Sequence, residues 1–97
     1  MTISFKSNGY LPIEERERLR RVIFYGKNWR RKLSALRKLN DQDFYKLRAT
    51  NSGHWLDRAQ ATHFLVDTNL LQRIREDPKE DPRVKDIAGI RYLRLLR

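Results

Sequence analysis

Residues 16–38 read RERLRRVIFYGKNWRRKLSALRK. Leu19, Val22 and Ile23 recur at i, i+3 and i+4, the spacing of one helical face. Gly26 is suited to end that helix. Asn28 is suited to cap the start of another, because its side-chain oxygen can accept the unpaired N–H groups of a first turn. After it, Trp29, Leu33 and Leu36 form a second apolar stripe. Arg30 and Arg37 fall on one shoulder of that stripe, and Arg31 and Lys38 fall opposite it, which gives an amphipathic basic helix. Two short helices joined by a tight turn set the expectation for the whole chain.

Upstream, Pro12 suits a first helical position. Glu14 to Arg18 and Glu17 to Arg21 are i,i+4 pairs in the favourable orientation. Residues 2–6, TISFK, alternate like a short edge strand, and Ser7-Asn8-Gly9 reads as a turn. Downstream, Asn40-x-x-Asp43 has the form of a capping box and opens a helix near 41–49 that would bury Phe44 and Leu47. Residues 50–53 are loop-like. A helix from about Trp55 to Val66 follows, with a strand over 62–67 as the competing reading of a short apolar run. Asn69-x-x-Gln72 would start a helix carrying Leu70, Leu71 and Ile74. The segment DPKEDP at 77–82 is a polar break. Asp81-Pro82 then supplies an N-cap and a proline at the first helical position.

The final run, IRYLRLLR, fits a helix or a strand; a strand would pair with Ile3–Phe5. Leu and Arg favour the helix. The fold class read from this pattern is mainly α: a compact bundle of four or five short helices. A small two-stranded pairing of the N- and C-terminal segments stays open. Ninety-seven residues fit one domain, 1–97, with its polar break near 77–82.

The chain has no Cys, which removes disulfides and thiolate metal sites from consideration. No apolar run approaches signal-peptide or membrane-spanning length, so the expected location is cytoplasmic. The acids at 77–81 lack the ordered pattern of a calcium loop, so no metal and no cofactor is expected.

Charge is the strongest functional signal. Residues 16–38 hold ten Arg or Lys and one acid, Glu17, within a chain whose net charge is +10. Ordinary solvated faces mix both signs, whereas a field of one sign favours an anionic partner. The expected nucleic-acid-binding residues are Arg20, Arg21, Lys27, Arg30, Arg31, Lys32, Arg37 and Lys38, with Arg91 and Arg94 extending the surface from the C-terminal segment. Arg can hold a phosphate in a fork, and Lys acts as a mobile point charge. The Gly26–Asn28 junction adds helix-start N–H groups that could receive a phosphate. Trp29 and Tyr25 near these arginines have the chemistry to stack bases, but the stripe assigns Trp29 to the core.

The helices at 29–38 and 41–49 have helix-turn-helix spacing. Their join lacks a glycine, and the second helix has few base-reading side chains beyond Lys46 and Arg48. With no major-groove reader evident, RNA is slightly favoured over DNA, bound mainly through its backbone. The alternative is a protein-interaction module, an adaptor, inhibitor or small subunit docking on an acidic partner or within a larger assembly. A membrane surface ranks below both, since the core needs the same apolar side chains.

A binding protein fits better than an enzyme. A small ribonuclease would rest on His54, with Arg58 and Lys46 assisting. His63 is nine residues from His54, about 13 Å along a straight helix, too far to share one phosphate.

Overall fold

The turn at Gly26–Asn28 separates α1 (Ile13–Tyr25) from α2 (Trp29–Leu39) in the computed structural model, which describes residues 11–97. Four helices follow: α3 (Gln42–Asn51), α4 (Trp55–His63), α5 (Thr68–Glu76) and α6 (Pro82–Leu95). The described residues contain six helices, where four or five are expected from sequence, and no strand. Residues 90–95 belong to α6, so the strand reading of the C-terminal run is replaced by helix. The expected strand at 2–6 lies outside the described residues. The helices group into two compact units, one ending at Asp41 and the other spanning Gln42–Arg97.

The first unit is a helical hairpin. Asn28 caps α2 as expected: its Oδ1 accepts the N–H of Arg30 at 2.9 Å and that of Arg31 at 3.2 Å. Gly26 ends α1 without a left-handed backbone; its φ is −69°. The glycine is needed for close approach, because a Cβ there would collide with the Val22 carbonyl that accepts the Gly26 N–H. Leu19 and Ile23 of α1 are buried with Ala35, Leu36 and Leu39 of α2. Each large aliphatic side chain removed from water contributes about 2 kcal/mol.

The buried stripe of α2 therefore differs from the expected Trp29–Leu33–Leu36. It is turned by roughly a quarter of the helix circumference. Ala35 and Leu39 enter the core, Leu33 is partly covered, and Trp29 is 49% exposed. Trp29 is the first residue of its helix, with no preceding turn to pack against. The rotation also exchanges the roles of the basic pairs. Arg31 and Lys38 flank the α1 side, and Arg30 and Arg37 point away from the core.

Asn40 is a C-cap, not the expected N-cap. It adopts the left-handed conformation, φ 47° and ψ 55°, which Asn tolerates, and its N–H donates to Leu36 O. Arg20 reaches Asp41 at 3.6 Å.

In the second unit α3 packs on α4, α4 on α6 and α5 on α6. Ala59, Ala61 and Thr62 of α4 are buried, and small side chains permit the close helix approach. Tyr45 rather than Phe44 or Leu47 anchors α3 in the core; Leu47 is 62% exposed. The Tyr45 ring stacks on Phe64, centroids 5.4 Å apart.

The end of α4 at His63, short of the expected Val66, has a specific cause. Gln42 Nε2 donates to Phe64 O at 2.9 Å, and its Oε1 accepts the Val66 N–H at 3.1 Å. Arg91 Nε donates to Leu65 O at 2.7 Å. These side chains hold residues 64–66 outside both helix and strand. Asp67, not Asn69, caps α5, accepting the Leu70 N–H at 3.0 Å. Asp81 caps α6 with Pro82 at its start, as the sequence predicts. No helix among the described residues is long and apolar enough to cross a membrane.

Candidate nucleic-acid interface

The antiparallel hairpin places α1 and α2 side by side, with a cleft of about 260 Å³ between them. Leu19, Val22 and Ala35 give it an apolar floor, and Arg18, Arg31, Ser34 and Lys38 supply its polar lining. Arg31 and Lys38 are seven residues apart, two turns of α2, and so project on the same side. A guanidinium fork, an ammonium and a hydroxyl beside a shallow apolar floor form a set that can receive a phosphate.

Arg18 already has an anion. Its Nε donates to Glu15 Oε1 at 3.0 Å, and its Nη2 donates to Oε2. This bond and the nearby charges of Arg18 and Lys38 hold the Glu15 carboxyl below its ordinary value. Arg18 is raised by the same partner. Glu15 thus acts as a resident counter-ion at one end of the cleft.

Among the described residues, no carboxylate lies within ion-pair distance of Arg21, Lys27, Arg30 or Arg31. Arg21, Lys27, Arg30, Arg31, Arg37 and Lys38 are exposed, while Arg20 and Lys32 are half-buried. The expected phosphate-binding N–H groups at the start of α2 are used internally, since Asn28 takes those of Arg30 and Arg31. Arg30 lies over the Trp29 ring, 5.0 Å from its centre.

Arg91 and Arg94 belong to the second unit. Arg91 is tied to Leu65 O. Arg94 lines a separate cavity of about 210 Å³ with His63, Ile87, Ile90 and Arg91.

The residues expected for cleavage are placed in structural roles. His54 is the N-cap of α4, its Nδ1 accepting the Leu56 N–H at 3.1 Å. Arg58 makes a forked pair with Glu80 and donates to Ser52 O at 2.9 Å. Lys46 pairs with Asp67 at 3.5 Å. The two histidines stand at opposite ends of α4. Among the described residues there is no group of three or more His, Cys, Asp or Glu side chains that could hold a metal ion.

Sequence reasoning missed three features. Ser34 and Arg18 complete the cleft, and the signal for them was available: Arg31, Ser34 and Lys38 follow i, i+3, i+7. The buried Arg48, 3.2 Å from Asp57, left no sequence signal. Burial pulls its guanidinium below the ordinary value while Asp57 opposes that shift. The third is the exposure of Trp29, which the stripe assigns to the core and which instead joins Phe24 and Tyr25 at the surface of the α1–α2 turn.

No known family, curated protein or solved structure matches the chain.

Proposed function

We propose that the chain is a small nucleic-acid-binding protein that contacts mainly the phosphate backbone, with RNA slightly favoured over DNA. One observation carries this reading: residues 16–38 hold ten bases against one acid, and Arg21, Lys27, Arg30 and Arg31 have no carboxylate within ion-pair reach among the described residues. Uncompensated charge of one sign costs self-repulsion, which a polyanion relieves on binding. Backbone contact makes affinity fall steeply with salt and vary little with sequence. A cytoplasmic location accompanies this reading.

The test is purification without nuclease treatment, followed by titration with labelled oligonucleotides at increasing salt. Charge reversal of Arg30, Arg31, Arg37 and Lys38 together should abolish most of the affinity and flatten the salt slope, with the helical circular-dichroism signal unchanged. Glu15→Gln should tighten binding by a few-fold, because it removes the counter-ion that competes for Arg18. Failure to bind any nucleic acid at low salt would refute the reading.

A second reading, a module docking on an acidic protein, is favoured by a different observation. Ile90, Leu93 and Leu96 are exposed near the end of α6, beside Arg94 and Arg97. An apolar centre with a charged rim is the anatomy of a protein interface. Copurification of one acidic protein, lost in Leu93→Glu, would support it.

A further inference from the structure

Every exposed Phe, Tyr or Trp side chain among the described residues falls within positions 24–29. Phe24 is 54% exposed, Tyr25 80% and Trp29 49%, whereas Phe44, Phe64, Trp55 and Tyr92 are partly covered and Tyr45 is buried. The exposed aliphatic side chains are distributed differently: Ile13 stands at the start of α1, twelve residues before Tyr25, and Leu47, Val66, Ile90, Leu93 and Leu96 lie in the second unit. The hairpin turn is thus selectively aromatic. Leaving Tyr25 almost bare in water forgoes the burial that a large ring ordinarily gains.

The surroundings of these rings have one sign. Arg21 lies one turn before Tyr25 on the same face of α1, Lys27 lies in the turn, and Arg30 covers part of Trp29. The nearest acid in sequence is Glu17, seven residues before Phe24. The Phe24 and Tyr25 rings are 6.4 Å apart and tilted by 55°, so they do not stack on each other and present separate faces. Protein interfaces also enrich aromatic side chains and Arg; what distinguishes this turn is that it carries neither exposed aliphatic side chains nor acids. Planar rings among unopposed cations match the needs of unpaired bases: π-faces for stacking and positive charge for the intervening phosphates. A duplex keeps its bases stacked inside and cannot offer those faces.

We propose that Phe24, Tyr25 and Trp29 form a stacking platform for the bases of single-stranded nucleic acid, with Arg21, Lys27 and Arg30 holding the phosphates between them. This rests on the nucleic-acid reading above and narrows it to unpaired strands. Base stacking has little sequence preference, because every base has a π-face, so the platform agrees with weak sequence selectivity.

The experiment is fluorescence anisotropy at low salt with single-stranded RNA, single-stranded DNA and a blunt duplex of equal length. Wild type should bind the single strands more tightly than the duplex. Tyr25→Ala should weaken single-strand binding by about five-fold or more and leave duplex binding unchanged. Tyr25→Trp should retain the affinity, whereas Tyr25→Leu should not. Tyr25 is so exposed that these variants keep the fold, and Trp29→Leu adds an independent probe. Tighter binding of RNA or of DNA assigns the sugar, and either agrees with the platform. Equal affinity for duplex and single strands, or an unchanged affinity in both Tyr25→Ala and Trp29→Leu, would overturn the platform while charge reversal still tests backbone contact. An acidic protein bound to wild type and lost in Tyr25→Ala would assign the rings to a protein partner and overturn it. No binding to any of the three oligonucleotides would overturn both readings together.

Discussion

Arg58 and Glu80 form a forked ion pair across 22 residues of sequence. Arg58 Nε donates to both carboxylate oxygens at 3.1 and 3.0 Å, and Nη2 donates to Oε1 at 2.9 Å. The same guanidinium holds Ser52 O, and Glu80 Oε1 also accepts the Asp81 N–H at 2.7 Å. The pair therefore joins the loop before α4 to the polar break before α6. The hydrogen bond to Glu80 is the main cause of the raised Arg58 pKa.

Removing either partner leaves the other partly buried and unmatched. Arg58→Ala or Glu80→Ala should each cost about 2 kcal/mol of stability. The double variant should cost less than the sum, because the pair is lost only once. Urea titrations of the four proteins check this. An additive double variant would show that the pair contributes no coupling.

Two glycines should respond in opposite directions to alanine. At Gly26 the new methyl meets the Val22 backbone carbonyl, which cannot move without unwinding the end of α1. Gly26→Ala should destabilise by about 1–3 kcal/mol, the ordinary cost of forced overpacking. At Gly89, inside α6, the methyl lies 3.2 Å from Arg75 Cδ, part of a flexible side chain that can shift. Gly89→Ala should stabilise by about 0.5–1 kcal/mol through helix propensity. Arg75 stacks on Tyr92 at 5.1 Å, so a loss of stability at Gly89→Ala would show that this contact cannot give way.

Acid should weaken the second unit through Asp81. The Arg83 side chain, then the Arg83 backbone N–H, lower its carboxyl from 3.8 to about 2. The folded state thus binds this proton less readily than the unfolded chain. The associated stability is fully present above the unfolded value of 3.8 and is lost as pH falls through about 2. Asp67, lowered chiefly by the Leu70 N–H, adds in the same direction. Melting temperatures between pH 5 and 2 should fall for wild type and fall less for Asp81→Asn, which keeps a capping oxygen but cannot titrate. Parallel curves for the two proteins would remove Asp81 as a cause.

The parts of the fold legible in sequence are those governed by local chemistry. Asn28 and Asp81-Pro82 mark helix starts because capping needs only the next two or three residues. Asn40 is ambiguous in sequence because Asn suits both an N-cap and a left-handed C-cap, and only the tertiary path distinguishes them. Periodicity assigns Trp29 to the core because it counts a residue at a helix start as though turns existed on both sides of it. Ala35 and Leu39 supplied the real core face of α2, since a small side chain allows approach and a terminal Leu still reaches inward.

The candidate interface followed a similar division. The sign and position of the basic segment were written in the residue list. Which cations are paired was not, because Arg20 meets Asp41 and Arg58 meets Glu80 only after folding. His54 offered no capping signal, since histidine is outside the usual N-cap residues, and its Nδ1 takes that role through the backbone geometry at 54–56.

The amide of Gln42 clasps residues 22 and 24 positions further along the chain. Bonds of that separation form only after the intervening segment has closed, and each closure carries an entropic cost. If the clasp forms on the native side of the folding barrier, Gln42→Ala should speed unfolding more than it slows folding, and the two arms of a denaturant chevron check this. A single side chain at the first turn of α3 would then set how long the α4–α5 connection stays closed.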